Sequence, residues 1–160
     1  MKKIFALLLS LTLLLGLCGC VSNEPDFTAP PATTNTSFVF EEAVLVDNEQ
    51  CKFIIKSAPY SDPYWGKQIK VYIENNSDST LMFATDKFSI NGYMVSVLFA
   101  TEVTPGKKEN SVITIFSEDL EANSIEDIEN IEFELTIYDV NNMFNEDIVK
   151  DFYTVNFNKE

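Results

Sequence analysis

A strict alternation of apolar and polar residues most constrains what this chain can fold into. The clearest case is the segment 131–139, Ile-Glu-Phe-Glu-Leu-Thr-Ile-Tyr-Asp. Because successive side chains of a β-strand point to opposite faces, the four apolar residues share one face, while Glu132, Glu134 and Thr136 share the other. We therefore expect a mainly β fold. Similar alternations or β-rich runs occupy residues 38–46, 67–74, 111–116 and 153–157.

Turn signals separate these runs and predict how the strands are connected. Asn91-Gly92 lies within the apolar run 88–99 and predicts a two-residue hairpin turn. Three further turns are expected at 47–49, 75–79 and 105–108. Seven or eight short strands in residues 37–160 predict one domain, an immunoglobulin-like antiparallel β-sandwich. A small closed barrel is the alternative.

One segment departs from the alternation and predicts a short helix. Ser117 is a residue type that caps helix N-termini, and the acids Glu118 and Asp119 follow it, where they suit the positive end of a helix dipole. We expect Leu120, Ile125 and Ile128 to fold back onto the sandwich.

The N-terminal residues predict a lipoprotein signal peptide over 1–19. Lys2 and Lys3 precede an uncharged apolar run, residues 4–17, which is short for a membrane span but suits a signal peptide. Leu17-Cys18-Gly19-Cys20 has the pattern of a lipobox, which predicts cleavage after Gly19 and a diacylglyceryl thioether on Cys20. An ordinary secretory signal and an uncleaved anchor are the alternatives. The Thr- and Pro-rich residues 21–36, after the lipidated Cys20, predict a disordered, flexible tether that reaches at most ~50 Å.

The charge of the chain excludes several classes of function. The sequence has 25 acidic and 11 basic residues, all of the latter lysine, and removal of residues 1–19 leaves a formal charge of −16. Without histidine, the chain has no imidazole base or histidine metal ligand, and without arginine it has no guanidinium fork for phosphate. Nucleic-acid binding needs a basic surface, so no nucleic acid is expected among its partners.

Cys51 is the cysteine that remains after Cys18 leaves with the signal and Cys20 is acylated. It alternates with Phe53 and Ile55 in a strand-like run, which predicts a small buried hydrophobe rather than a reactive thiol.

Residues 65–157 resemble a family of uncharacterised domains of small lipoproteins and surface proteins from Gram-positive-type bacteria. The resemblance rests on VYIENNSD, FSINGYMV and VTPGKKENSVITIFSEDLEANSIEDIENIEFELTIYD, and most specifically on Asn91-Gly92-Tyr93 and the segment 117–133. It implies an immunoglobulin-like fold at the cell surface. It implies no activity and no site residues.

The segment 60–66, Tyr-Ser-Asp-Pro-Tyr-Trp-Gly, is the first candidate site. Tyr60, Tyr64 and Trp65 lie in a Pro- and Gly-containing loop, where exposed rings beside a carboxylate can stack on sugars or anchor a protein partner. In the alternative interpretation, Trp65, the single tryptophan, caps the core.

Acidic residues supply the other candidates. Twelve acids and no lysine lie in residues 109–149, which predicts either a face that attracts a cationic partner or an ordinary solvated surface. The segment 139–147 lacks the Gly and Glu of an EF-hand and leaves only a looser calcium site between loops. Glu132 and Glu134 resemble a glycosidase pair, but they lie on an open strand face.

The sequence thus predicts a lipid-anchored domain on the extracytoplasmic face of the cell membrane. We expect a non-catalytic binding or structural role toward another envelope protein, without cofactor, metal or catalytic residues. A carbohydrate-binding module that uses Tyr60, Tyr64 and Trp65 is the competing hypothesis.

Overall fold

A computed structural model describes residues 40–142 and 147–157. The predicted signal peptide, Cys20 and the tether lie outside these ranges. The described residues form short strands, long strands and one helix: β1 Ala43–Asp47, β2 Cys51–Ile55, β3 Tyr60–Asp62, β4 Gly66–Asn75, β5 Leu81–Ile90, β6 Tyr93–Met94, β7 Val97–Leu98, β8 Ala100–Val103, β9 Lys108–Ile115, α1 Ser117–Ala122, β10 Asn130–Asp139 and β11 Val149–Asn156.

The strands form two antiparallel sheets. The first has the order β1-β2-β4-β9-β7, with β3 also paired to β4, and the second has the order β11-β10-β5-β6, with β8 also paired to β5. The pairings match those of an immunoglobulin domain. In the first sheet, β2-β4-β9 correspond to strands A-B-E. In the second sheet, β5-β10-β11 correspond to strands C-F-G, and β8 corresponds to C′. The predicted sandwich is confirmed, and the closed barrel is wrong because the strands divide into two sheets.

The core lies between the sheets and follows the alternation in the sequence. The apolar residues of β10 are fully buried, as are Ile69, Val71 and Ile73 of β4. Rings from the two sheets meet in the middle, where Phe53 of β2 stacks against Phe83 of β5 with centroids 6.5 Å apart. Burial of each large side chain contributes about 1.5–3 kcal/mol, so this core stabilises the domain without a disulfide.

The helix is present, but its cap differs from the prediction. Ser117 is the first helical residue, and the N-cap is Phe116, which has extended backbone angles and makes no side-chain capping hydrogen bond. Ser117 is not the cap because the helix begins at once after β9, which leaves Phe116 as the residue between them. Leu120 is buried, and Ile125 and Ile128 pack against the core as predicted.

The predicted hairpin at Asn91-Gly92 is confirmed, with φ of 50° and 82° at the two turn residues. Its second arm is shorter than predicted, because β6 has two residues and the chain then crosses to the first sheet as β7. At the crossing, the Ser96 N–H donates to the Asp119 carboxylate of α1 at 2.5 Å. This contact brings the segment 91–98 to the same end of the sandwich as α1.

We call this end the helix end. It comprises the β3–β4 turn, the segment 91–98, Phe116 with α1, and the segment 123–130. The Asn91 side-chain amide donates to the Asp127 carbonyl at 2.8 Å, which joins the β5–β6 turn to that segment. The chain also enters the domain here, since the Phe40 ring lies 5.0 Å from the Phe157 ring and the Phe157 N–H donates to the Glu129 carbonyl.

Candidate binding surface

The segment predicted as an aromatic loop is the tip of a β-hairpin. Tyr60–Asp62 pairs with Gly66–Gln68, and Pro63, Tyr64 and Trp65 form the turn. One carboxylate oxygen of Asp62 accepts from the backbone N–H groups of both Tyr64 and Trp65 at 2.9 Å. The carboxylate therefore fixes the backbone of the turn and holds the two aromatic residues in place.

Both aromatic side chains of the tip are exposed. Tyr64 is 88% exposed and Trp65 is 66% exposed. The alternative in which Trp65 caps the core is therefore wrong. Exposed rings with a fixed backbone lose little conformational entropy on binding, which suits them to contact a partner.

Tyr60, the third predicted contact residue, has a different position. Its side chain is half-buried, and its hydroxyl donates to Gln68 Oε1 at 2.8 Å. The Gln68 amide in turn donates to Thr114 Oγ1 at 3.3 Å, and Lys70 Nζ lies 5.1 Å from the Tyr60 ring centroid. Tyr60 thus ties the base of the hairpin to β4 and β9, while Tyr64 and Trp65 form the tip.

Two exposed residues that the sequence analysis missed lie beside the tip. Phe116 follows β9 and comes opposite Gly66, because Lys67 pairs with Ile115. Leu98 pairs with Thr114 and so lies on the same face as Phe116.

Apolar exposure is concentrated at this end of the molecule. Of the eight large apolar side chains exposed among the described residues, six belong to the helix end: Tyr64, Trp65, Tyr93, Met94, Leu98 and Phe116. A concentration of exposed apolar side chains marks an interaction surface more often than isolated exposed residues do. We call Tyr64, Trp65, Leu98 and Phe116 the apolar tip.

A shallow groove separates the β3–β4 hairpin from α1. Its volume is about 310 Å³. One wall comes from the hairpin and the other from α1 and the residues that follow it, and the lining residues are Ser61, Asp62, Gly66, Lys67, Ser117, Leu120, Glu121 and Ile125.

The described acids of residues 109–149 lie at both ends of the sandwich and on β10, so they do not form the single face that was one of the two alternatives. Glu109 accepts from the Thr101 hydroxyl at 3.0 Å, and Glu134 pairs with Lys87 at 2.8 Å on the outer face of the second sheet. The helix end holds six acids and no lysine within residues 117–130. Glu118 and Glu121 of α1 are exposed and form no ion pair with any lysine of the described ranges.

The clearest pKa changes lie away from the apolar tip. Burial raises the pKa of the Cys51 thiol to about 11, because a thiolate would lose its hydration. The Tyr72 hydroxyl and then Lys108 lower the pKa of Glu74. Cys51 is fully buried, so its predicted role as a core residue is confirmed.

The remaining acidic candidates are dispersed. Glu132 accepts from the Ser89 hydroxyl at 3.2 Å, next to the Glu134–Lys87 pair on an open sheet face. No three metal-ligating side chains converge within 40–142 or 147–157, and residues 143–146 of the looser calcium site lie outside these ranges. No helix within the described part of the chain is long and apolar enough to cross a membrane.

Comparisons with known proteins leave the function open. No family model matches the chain, and no curated protein matches it. A similar solved structure is the crystal structure of a FixG-related protein from Vibrio parahaemolyticus, with 12% sequence identity, a TM-score of 0.31, and coverage of 68% of this chain and 96% of that one. A likeness at this level carries no conclusion about function.

Proposed function

We propose that this protein is a lipid-anchored, non-catalytic binding domain of the cell surface that contacts another envelope protein through the apolar tip. The exposure of Tyr64 and Trp65 on a fixed hairpin turn is the observation that carries the proposal. Tyrosine and tryptophan are the residues that most often dominate the free energy of protein–protein contacts. Leu98 and Phe116 are also exposed and lie at the same end of the domain.

The anchor is inferred from the lipobox and from the charge of the domain. Residues 20–160 have a formal charge of −16 and are repelled by anionic lipid, so acyl chains would be needed to hold the protein at the membrane. Phe40, the first described residue, packs against Phe157 at the helix end.

The test is loss of a cross-linked neighbour when the tip is truncated. Tyr64→Ala with Trp65→Ala in the full chain should reduce recovery of a defined neighbour in intact cells at least about tenfold, because such anchors contribute more than about 2 kcal/mol when they are central. Phe152→Ala is the matched control, since Phe152 is an exposed aromatic on the outer face of the other sheet. Equal recovery from both variants would contradict the proposal.

A carbohydrate is the second candidate ligand, because the same tip sets two exposed rings beside the Asp62 carboxylate. Trp65 is the single tryptophan, so the emission of the protein reports on the tip. Saturable changes in this emission with cell-wall glycan fragments, lost in Tyr64→Ala, would support the sugar. Emission that does not respond to those fragments would contradict a carbohydrate ligand and favour a protein partner.

A further inference from the structure

We propose that the groove between the β3–β4 hairpin and α1 receives an apolar side chain from a lysine- or arginine-bearing polypeptide segment. The inference rests on the proposed binding function and specifies the chemistry of the partner. It combines the shape of the groove with the charge at its rim.

The floor of the groove is apolar, and its walls are fixed. Leu120 is buried and Ile125 is half-buried, so an entering side chain would contact hydrocarbon. On the hairpin side, Asp62 fixes the turn, and Gly66 keeps the hairpin close to α1, since a Cβ at Gly66 would lie 2.6 Å from Ser117 Oγ. A groove of about 310 Å³ is at the lower limit of small-molecule sites, which favours a single inserted side chain.

The rim selects for positive charge. Glu121 lines the groove, and Glu118 lies three residues earlier on the same helix, where the two side chains are neighbours. Neither carboxylate has a lysine partner within the described chain, and Lys67 is the one lysine at the groove. A cationic segment would therefore gain charge pairs at the rim, while anionic lipid and nucleic acid would be repelled.

The probe for this inference is a short peptide of lysine and leucine without aromatic residues. We expect it to change the Trp65 emission of the full chain in neutral detergent in a saturable manner. Raising the salt from about 0.05 M to about 0.5 M should weaken the binding, because it screens exposed charges. A lysine–serine peptide should bind much more weakly, and a glutamate–leucine peptide should not bind.

Two sets of variants locate the site. Glu118→Gln with Glu121→Gln should weaken the lysine–leucine peptide about fivefold. Glu49→Gln with Glu102→Gln removes two exposed charges elsewhere and should leave its affinity within about twofold. Ser61→Phe should fill the groove from the hairpin side and abolish binding, with the far-ultraviolet spectrum unchanged. Equal weakening by the two Glu→Gln pairs, or full binding by Ser61→Phe, would overturn the inference.

The outcomes also separate this inference from the proposed function. Suppose that the cellular neighbour is lost with Tyr64→Ala and Trp65→Ala but kept with Ser61→Phe and Glu118→Gln/Glu121→Gln. The binding function then stands, and the basic segment in the groove is wrong. If the lysine–leucine peptide binds as expected but no neighbour depends on the apolar tip, the groove stands and the proposed partner contact is wrong.

Discussion

Asn75 shows how one buried polar residue organises a connection between the two sheets. Its side chain is fully buried at the end of β4. The amide donates to the carbonyls of Ser79 at 2.8 Å and Val103 at 2.6 Å, and its oxygen accepts from the Ser77 N–H at 2.9 Å. The sequence identified residues 75–79 as a turn, but the partner at Val103 comes from β8 and could not be read from local sequence.

Asn75→Ala should lower the free energy of unfolding by about 3 kcal/mol, because the carbonyls of Ser79 and Val103 lose their amide donor and the Ser77 N–H loses its acceptor. Urea unfolding monitored by far-ultraviolet circular dichroism measures the change. Asn76→Ala is the control, since the neighbouring Asn76 is exposed and should change stability by less than about 0.5 kcal/mol. A loss below 1 kcal/mol for Asn75→Ala would contradict the structural role.

At the scale of elements, the β3–β4 hairpin and α1 are joined at Gly66. Gly66 has a φ of +82°, and a Cβ there would lie 3.2 Å from the Ile115 carbonyl oxygen in addition to its close approach to Ser117. The short helix has six residues and no side-chain cap, so it depends on Leu120 and on this contact with the hairpin.

Gly66→Ala should therefore lower the free energy of unfolding by more than the loss of backbone freedom alone would explain. Gly106→Ala is a matched control, because Gly106 also has a positive φ, +68°, but open space around the position of a Cβ. We expect about 1 kcal/mol of destabilisation for Gly106→Ala and at least about 1 kcal/mol more for Gly66→Ala. Thermal and urea unfolding of both variants give the comparison, and equal losses would show that the hairpin does not press on α1.

The long strands β4 and β10 could be predicted because period-two alternation marks them. Only the end of β5 from Phe88 onward was predicted, because residues 81–87 do not alternate. The short strands β3, β6, β7 and β8 have two to four residues, too few to produce a pattern. Their pairing depends on where the longer strands place them. The role of Asp151 in the edge strand β11 also depends on pairing. Asp151 comes opposite the core residue Leu135 but is exposed. Such an inward-facing charge opposes pairing of the edge with another chain.

At the scale of the whole molecule, the part of the candidate site that is local in sequence could be predicted, and the part that depends on strand pairing could not. Tyr64 and Trp65 are close in sequence to Pro63 and Gly66, so local composition indicated an exposed turn. Leu98 and Phe116 join them only through the register of β7, β9 and β4. The acidic surface at the helix end likewise depends on which residues of 109–149 the fold brings to that end.

Anchoring is the property of the whole molecule that the proposed function requires, and Cys20→Ser tests it. The sequence predicts that Cys20 carries the acyl chains, and an acidic domain without them should leave the anionic membrane. We expect Cys20→Ser to move the protein from the membrane fraction to the soluble fraction. Cys18→Ser should stay in the membrane, because Cys18 lies in the predicted signal peptide, residues 1–19. Intact-mass measurement should show a lipid adduct on the wild type and on Cys18→Ser, but none on Cys20→Ser. An adduct on Cys20→Ser would show that a residue other than Cys20 is acylated.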